Sequence, residues 1–306
     1  MHLCWKTRRS ACPRSVNKMA EQKCYEVLKW ASLFLEQHGA EPRAAEILLQ
    51  HQMGWDRHQM YMHLQDLMPA DRQAAFEAHV KEHAETGVPV QHLTGQETFY
   101  GRDFLVNTNV LIPRPETEEV VLEAIRLIKN RQHASGQRLT VADIGTGSGV
   151  IAITLALELE NVSVAATDLS PKALATAEKN ALRLGANVAF HEGSFLEPLF
   201  AKDIKPDVIV SNPPYIPEAE RDKLSRTVAD FDPDLALFAK DEGLAAYKEI
   251  ISQVANVFKD TGLLVFEIGH DQGTTVPALI KARFPGAEVR TIQDINGKDR
   301  IVTAHF

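Results

Sequence analysis

From Leu139 onward the chain alternates between short apolar runs rich in β-branched residues and longer stretches of helical spacing. No other feature narrows the fold so far. Strands are read at 139–144, 162–167, 187–191, 206–211, 262–268, 287–293 and 300–305, with helices near 149–160, 171–184, 244–257 and 274–283. Strands joined through helices must cross over, which gives a largely parallel sheet covered on both faces. The last two runs are parted only by Asp294–Asp299, too short for a crossover helix, so they are expected to pair antiparallel. At 306 residues and 44% hydrophobic content the chain is long and apolar enough for one large or two ordinary domains, and disorder is excluded. No run reaches the ~18 consecutive apolar residues of a membrane helix, so a soluble protein with no membrane partner is expected.

The chain ahead of Leu139 reads differently. Residues 23–86 are helical in pattern: Val27, Leu28, Ala31, Phe34 and Leu35 form one face, with Gly39 placed to end that helix. Pro42 opens a second stretch whose apolar face is Ala45, Ile47, Leu48 and Leu49, and a third runs from Asp71 to Glu85. His51, His58 and His63 lie in this region among Met53, Met60, Met62 and Met68, but no carboxylate or cysteine completes a ligand set. They are read as helix surface and core filler, and no metal is expected. Glu97–Tyr100, Gly101 and Asp103–Val106 follow as a hairpin. The stiff Pro113-Arg114-Pro115-Glu116 segment then leads into a helix reaching about Asn130. The expected organisation is a helical bundle at 19–90, a hairpin linker at 91–115 and an α/β domain at 116–306.

Residues 1–18 carry five basic and no acidic side chains and lack the apolar core of a secretory signal. They resemble a transit peptide faintly, or else Met19 is the true start. Cys4, Cys12 and Cys24 are odd in number and clustered, which fits a reducing, cytoplasmic setting better than a disulfide framework.

Three motifs carry the chemistry. The first strand ends in Asp143-Ile144-Gly145-Thr146-Gly147-Ser148-Gly149, where a helix opens. Glycines there bring backbone N–H groups to a ligand at a helix N-terminus, although a tight strand-to-helix turn could use them for packing alone. Asp168 closes the second strand and can accept from two ribose hydroxyls, or else cap the helix before Pro171, a task for which Ser170 is better placed. Ser211-Asn212-Pro213-Pro214-Tyr215 ends the fourth strand, at the sheet's carboxyl edge, where a plain turn is the alternative.

With these residues the chain resembles class I S-adenosylmethionine-dependent methyltransferases that alkylate planar nitrogen. More narrowly, residues 19–306 resemble the bacterial protein-(glutamine-N5) methyltransferases acting on class-1 peptide-chain release factors. The matching stretches are Pro89-Val90-Gln91-His92-Leu93-Thr94-Gly95, Leu111–Glu118, Glu267-Ile268-Gly269 and Asp294–Arg300. The resemblance implies a Rossmann-like, seven-stranded, mostly parallel sheet behind an N-terminal helical bundle and hairpin linker. It implies S-adenosylmethionine bound by Gly145, Thr146, Gly147, Ser148, Gly149, Asp168, Phe195 and Asn212, with S-adenosylhomocysteine as product and no metal. The substrate implied is the glutamine of a release factor's Gly-Gly-Gln loop, held by Asn212, Pro213, Pro214 and Tyr215, with Arg114 and Glu116 shaping its pocket or buttressing the loop. A stiff linker with a charged helix start is the other reading of Arg114 and Glu116, and core packing that of Phe195. The family's usual aspartate before the aromatic is Ser194 here, which puts the contact to the adenine amino group in question.

An amide nitrogen is a poor nucleophile because its lone pair is delocalised into the carbonyl. Acceptors on both N–H bonds orient it for attack, and the Asn212 side-chain oxygen and Pro213 carbonyl can serve. The ring of Tyr215 can pack on the flat amide and exclude water. Net charge is −8, and −13 once the five leader bases are set aside. That balance argues against a nucleic-acid partner, and so against an adenine-N6 methyltransferase. A glutamine methyltransferase of a large-subunit ribosomal protein is the nearer alternative, and a monomer is expected.

Overall fold

A computed structural model describes residues 22–258 and 261–306, so the basic leader with Cys4 and Cys12 lies outside the described residues. The chain forms two compact units that divide between Thr86 and Gly87. In the first, helices α1 (Cys24–Gln37), α2 (Ala44–Met53), α3 (Arg57–Met62) and α4 (Ala70–Thr86) bury Val27, Ala31, Leu35, Leu48, Leu49, Met60, Phe76 and Val80. Cys24 is buried with them. Ile47, expected on the inner face of α2, is exposed, because the stripe through Ala45, Leu48 and Leu49 points away from it. The unanticipated α3 is started by a capping box, with Asp56 Oδ1 accepting from the Gln59 N–H and Gln59 Oε1 from the Asp56 N–H.

The second unit begins with α5 (Val90–Thr94) and the hairpin β1 (Gln96–Phe99)–β2 (Arg102–Leu105). Next comes α6 (Pro115–Ser135), with Pro115 in its first turn; it outruns the expected Asn130 and stops at Gly136. Then alternate β3 (Leu139–Ile144), α7 (Val150–Glu158), β4 (Val162–Asp168), α8 (Pro171–Leu184), β5 (Val188–Glu192), α9 (Glu197–Ala201) and β6 (Val208–Ser211). The chain closes with α10 (Ala245–Val254), β7 (Leu263–Glu267), α11 (Thr275–Arg283), β8 (Glu288–Gln293) and β9 (Asp299–His305). The seven main strands form one sheet in the order β8-β9-β7-β6-β3-β4-β5. Every pairing is parallel except those of β9, which runs antiparallel to both neighbours as the short Asp294 turn requires. This is a class I methyltransferase fold.

Strand periodicity sorts the core. Val141, Val208, Val210 and Val265 turn toward α6, α7 and α8, while their neighbours Ala142, Ile144, Ile209, Leu264 and Phe266 turn toward α10 and α11. Both faces are therefore dry, and polar chemistry is left to the carboxyl ends of β3, β4, β6 and β7. Asn180 of α8, fully buried, joins this edge to the hairpin: its Oδ1 accepts from the Leu105 N–H at 2.7 Å, and its amide donates to the carbonyls of Leu105 and Ser148.

Candidate functional site

The turn after β3 is built around a buried carboxylate. Asp143 Oδ2 accepts from Thr146 Oγ1 at 2.6 Å and from the Ala152 N–H at 3.1 Å, so it ties the turn to the first turn of α7. Complete burial pushes its carboxyl up to about 7, against the pull of those two bonds. The three glycines have positive φ for different reasons. A Cβ on Gly145 or Gly147 would meet nothing within 4 Å, so open space lies there; one on Gly149 would fall 2.8 Å from Ile153 Cδ1 and 3.1 Å from Ala177 Cβ. The first two leave room for a ligand, and the third lets α7 pack on α8.

Asp168 at the end of β4 grips the same turn. Its Oδ2 accepts from the Gly147 N–H and its Oδ1 from the Ser170 N–H, both at 2.8 Å. Ser170 itself caps α8, accepting from the Ala173 N–H, which leaves Asp168 free of that task. Burial raises the Asp168 carboxyl while three backbone N–H groups pull it down.

These residues line a cavity of about 310 Å³. Gly145, Thr146, Gly147, Ser148 and Asp168 are among its lining, together with Phe195, Asn212, Pro214 and Arg114. Phe195 holds a left-handed backbone (φ 46°), and Ser194 lines the cavity beside it. A second cavity of about 170 Å³ adjoins the first, sharing Leu111, Arg114, Asn212 and Ala236, and is closed by Tyr215, Ile216 and Glu267. Gly149, Pro213 and Glu116 line neither: Gly149 lies behind the turn, Pro213 is buried, and Glu116 is half-buried at the start of α6.

Asn212 stands where the cavities meet. Its Nδ2 donates to Thr117 Oγ1 at 3.3 Å, and Thr117 donates in turn to Glu267 Oε2 at 2.6 Å. Burial pushes the Glu267 carboxyl up to about 7 and the Tyr215 phenol up to about 12. Arg114 reaches Asp232 at 2.7 Å, while Asp232 Oδ1 accepts from the Ile112 N–H, so the segment before α6 is held to the loop that follows β6. The sequence does not single out Thr117, Glu267 or Asp232 as site residues; the Pro-Arg-Pro-Glu-Thr-Glu stretch contains the first and Glu267-Ile268-Gly269 the second, while nothing marks Asp232. Gly243 adds a tight approach, since a Cβ there would lie 2.0 Å from the Tyr215 carbonyl oxygen.

Residues 26–95 match the family described as PrmC N-terminal domain, and residues 124–230 match the methyltransferase small domain. The chain is 48% identical over 280 residues to the release factor glutamine methyltransferase of Bacillus subtilis (strain 168), covering 92% of this chain and 96% of that protein. The chain belongs to the release factor glutamine methyltransferase family. A Bacillus anthracis protein of the same name is 43% identical over 284 residues, covering 93% of this chain and 99% of that one. The fold of this release factor glutamine methyltransferase family member is shared with the hMettl16 catalytic domain in complex with MAT2A 3'UTR hairpin 6. There the TM-score is 0.51 at 15% identity, over 78% of this chain and 81% of that one. Among the described residues no group of three or more His, Cys, Asp or Glu side chains could hold a metal ion, and no helix is long and apolar enough to cross a membrane.

Proposed function

We propose that the chain transfers a methyl group from S-adenosylmethionine to the side-chain amide nitrogen of the glutamine in the Gly-Gly-Gln loop of class-1 peptide-chain release factors. The observation that carries this reading is the pair of adjoining cavities that meet at Asn212. The larger one fits a nucleoside with a charged tail: the open space over the Cβ-free Gly145 and Gly147, the ribose-competent Asp168 and the apolar Phe195 all line it. The smaller suits a short flat amide beside Tyr215.

S-adenosylmethionine supplies a sulfonium methyl and a good leaving group. The chain's part is positioning. Asn212 Oδ1 accepts one amide N–H and the Pro213 carbonyl the other, which turns the nitrogen lone pair toward the methyl carbon. With S-adenosylmethionine bound, its methyl would pass to that nitrogen with the thioether as leaving group, and the extra proton would leave the nitrogen afterwards, so no strong general base is needed. Arg114, held by Asp232, keeps the lip of the smaller cavity in one place. The helical unit at 22–86 is proposed to grip the body of the release factor, and the protein to work as a cytoplasmic monomer.

Mass spectrometry of a purified release factor after incubation with the protein and S-adenosylmethionine tests the reading. A gain of one methyl on the Gly-Gly-Gln glutamine is expected. Bound cofactor with no such gain would move the search to a glutamine of a large-subunit ribosomal protein.

A further inference from the structure

The Asn212 side chain can grip a substrate N–H only if its oxygen faces the cleft, and an amide can flip. What sets its orientation is a chain of two buried partners from distant parts of the sequence. Thr117, in the first turn of α6, is 3% exposed, and Glu267, the last residue of β7, is 2% exposed. A hydroxyl owns a single proton. Thr117 spends that proton on Glu267 Oε2 at 2.6 Å, so its oxygen can only accept from Asn212, and it does so from Nδ2 at 3.3 Å. We propose that Thr117 and Glu267 are positioning residues that fix the flip of the Asn212 amide, presenting its oxygen to the substrate nitrogen while Glu267 is ionised. This rests on the reading of Asn212 as the group that grips the glutamine amide.

The same wiring reverses on protonation. A protonated Glu267 donates to the Thr117 oxygen, which frees the Thr117 proton for the Asn212 oxygen. The amide then turns its NH2 to the cleft, a donor facing the donor of the substrate, and the productive complex is lost. The groups facing Glu267 are Arg114 just before α6, Glu116 and Thr117 from α6, Tyr215 after β6, Tyr247 from α10 and Arg300 from β9. Burial outweighs the pull of Thr117, Arg300 and Arg114, and Glu116 adds to it, so the carboxyl titrates at about 7. Because that value lies above the ordinary one, the protonated fraction grows as pH falls through it, and kcat falls with it. Asp143, also pushed to about 7, lies under the glycine turn, so its titration belongs to the KM for S-adenosylmethionine rather than to kcat.

The test is kcat against pH for the full chain on a purified release factor at saturating S-adenosylmethionine, between about pH 5.5 and about pH 9. The wild-type chain is expected to show an acidic limb near neutrality, and Glu267→Gln to flatten it, because an amide does not titrate. At alkaline pH, Thr117→Val should lower kcat by about tenfold or more with the KM for S-adenosylmethionine held within about twofold, and Thr117→Ser should restore the rate. Glu267→Gln with the wild-type limb intact, or Thr117→Val turning over at the wild-type rate, would overturn the proposal. If Glu267→Gln does not fold, the contrast between Thr117→Val and Thr117→Ser decides it alone. Absence of transfer by the wild-type chain would overturn the substrate reading, and this inference with it.

Discussion

At the scale of single residues, two side chains of the site do separable work. Among the described residues the Asn212 side chain bonds Thr117 and not the turn after β3, so removing it should spare cofactor binding. Asn212→Ala is expected to lower methyl transfer by about 100-fold or more, the usual cost of losing a preorganised polar contact at the reacting atoms, with S-adenosylmethionine affinity nearly unchanged. Asp168→Ala should do the reverse. It removes the proposed ribose acceptor and also releases the Gly147 N–H, so cofactor affinity by calorimetry should drop by about tenfold or more before kcat suffers. Near-normal turnover in the first variant would sink the amide grip, and unchanged affinity in the second would sink the ribose assignment. Both residues were legible because each sits in a short motif at a strand end. Thr117 was not, for a physical reason: its two partners lie 95 and 150 residues away, and no local pattern encodes a bond that only the folded sheet creates.

Elements were legible where burial imposes a period. The central strands β3, β6 and β7 are legible because two dry faces demand apolar runs, whereas the partly exposed edge strands β5 and β8 mix polar and apolar residues; α8 matches its expected span because Ser170, Pro171 and Gly185 punctuate it. The stretch between Tyr215 and Gly243 was not legible. It folds into a 3₁₀ segment and one-turn helices at Arg226–Ala229 and Asp234–Leu237, too short to show a period, yet it supplies Pro233, Leu235 and Ala236 to the larger cavity. The turn after β3 offers a sharp test of what its glycines are for. Gly149→Ala must seat a methyl 2.8 Å from Ile153 Cδ1 at φ +86°, so backbone strain and overpacking add, and a loss of about 2–4 kcal/mol is expected. Gly147→Ala carries only the strain of its positive φ, with nothing within 4 Å, and should cost about 1 kcal/mol. Urea denaturation of the two variants measures the difference. Equal losses would mean that the contact between α7 and α8 does not depend on that missing Cβ.

Across the whole molecule, the change from helical pattern to strand–helix alternation showed that two kinds of structure follow one another. It could not show where the hairpin belongs, because the buried Asn180 that ties Leu105 to the sheet's edge lies 75 residues further along. Every residue lining the two cavities falls between Thr108 and Glu267, and both large apolar clusters that support them are drawn from the unit beginning at Gly87. Among the described residues, none from α1 to α4 lines either cavity. If those helices grip the release factor, their loss removes binding energy remote from the chemistry and leaves the chemistry itself untouched. A fragment of residues 87–306 is accordingly expected to bind S-adenosylmethionine within about threefold of the full chain, and to methylate a short Gly-Gly-Gln peptide at a similar kcat. Its KM for an intact release factor should rise by about tenfold or more, the equivalent of some 1.4 kcal/mol or more of lost contact. Thermal unfolding of the fragment, followed by circular dichroism, controls for its folding. An unchanged KM for the intact factor would remove the helical unit from substrate recognition, and a folded fragment that lost cofactor affinity would mean that the cleft draws on more than the side chains that line it.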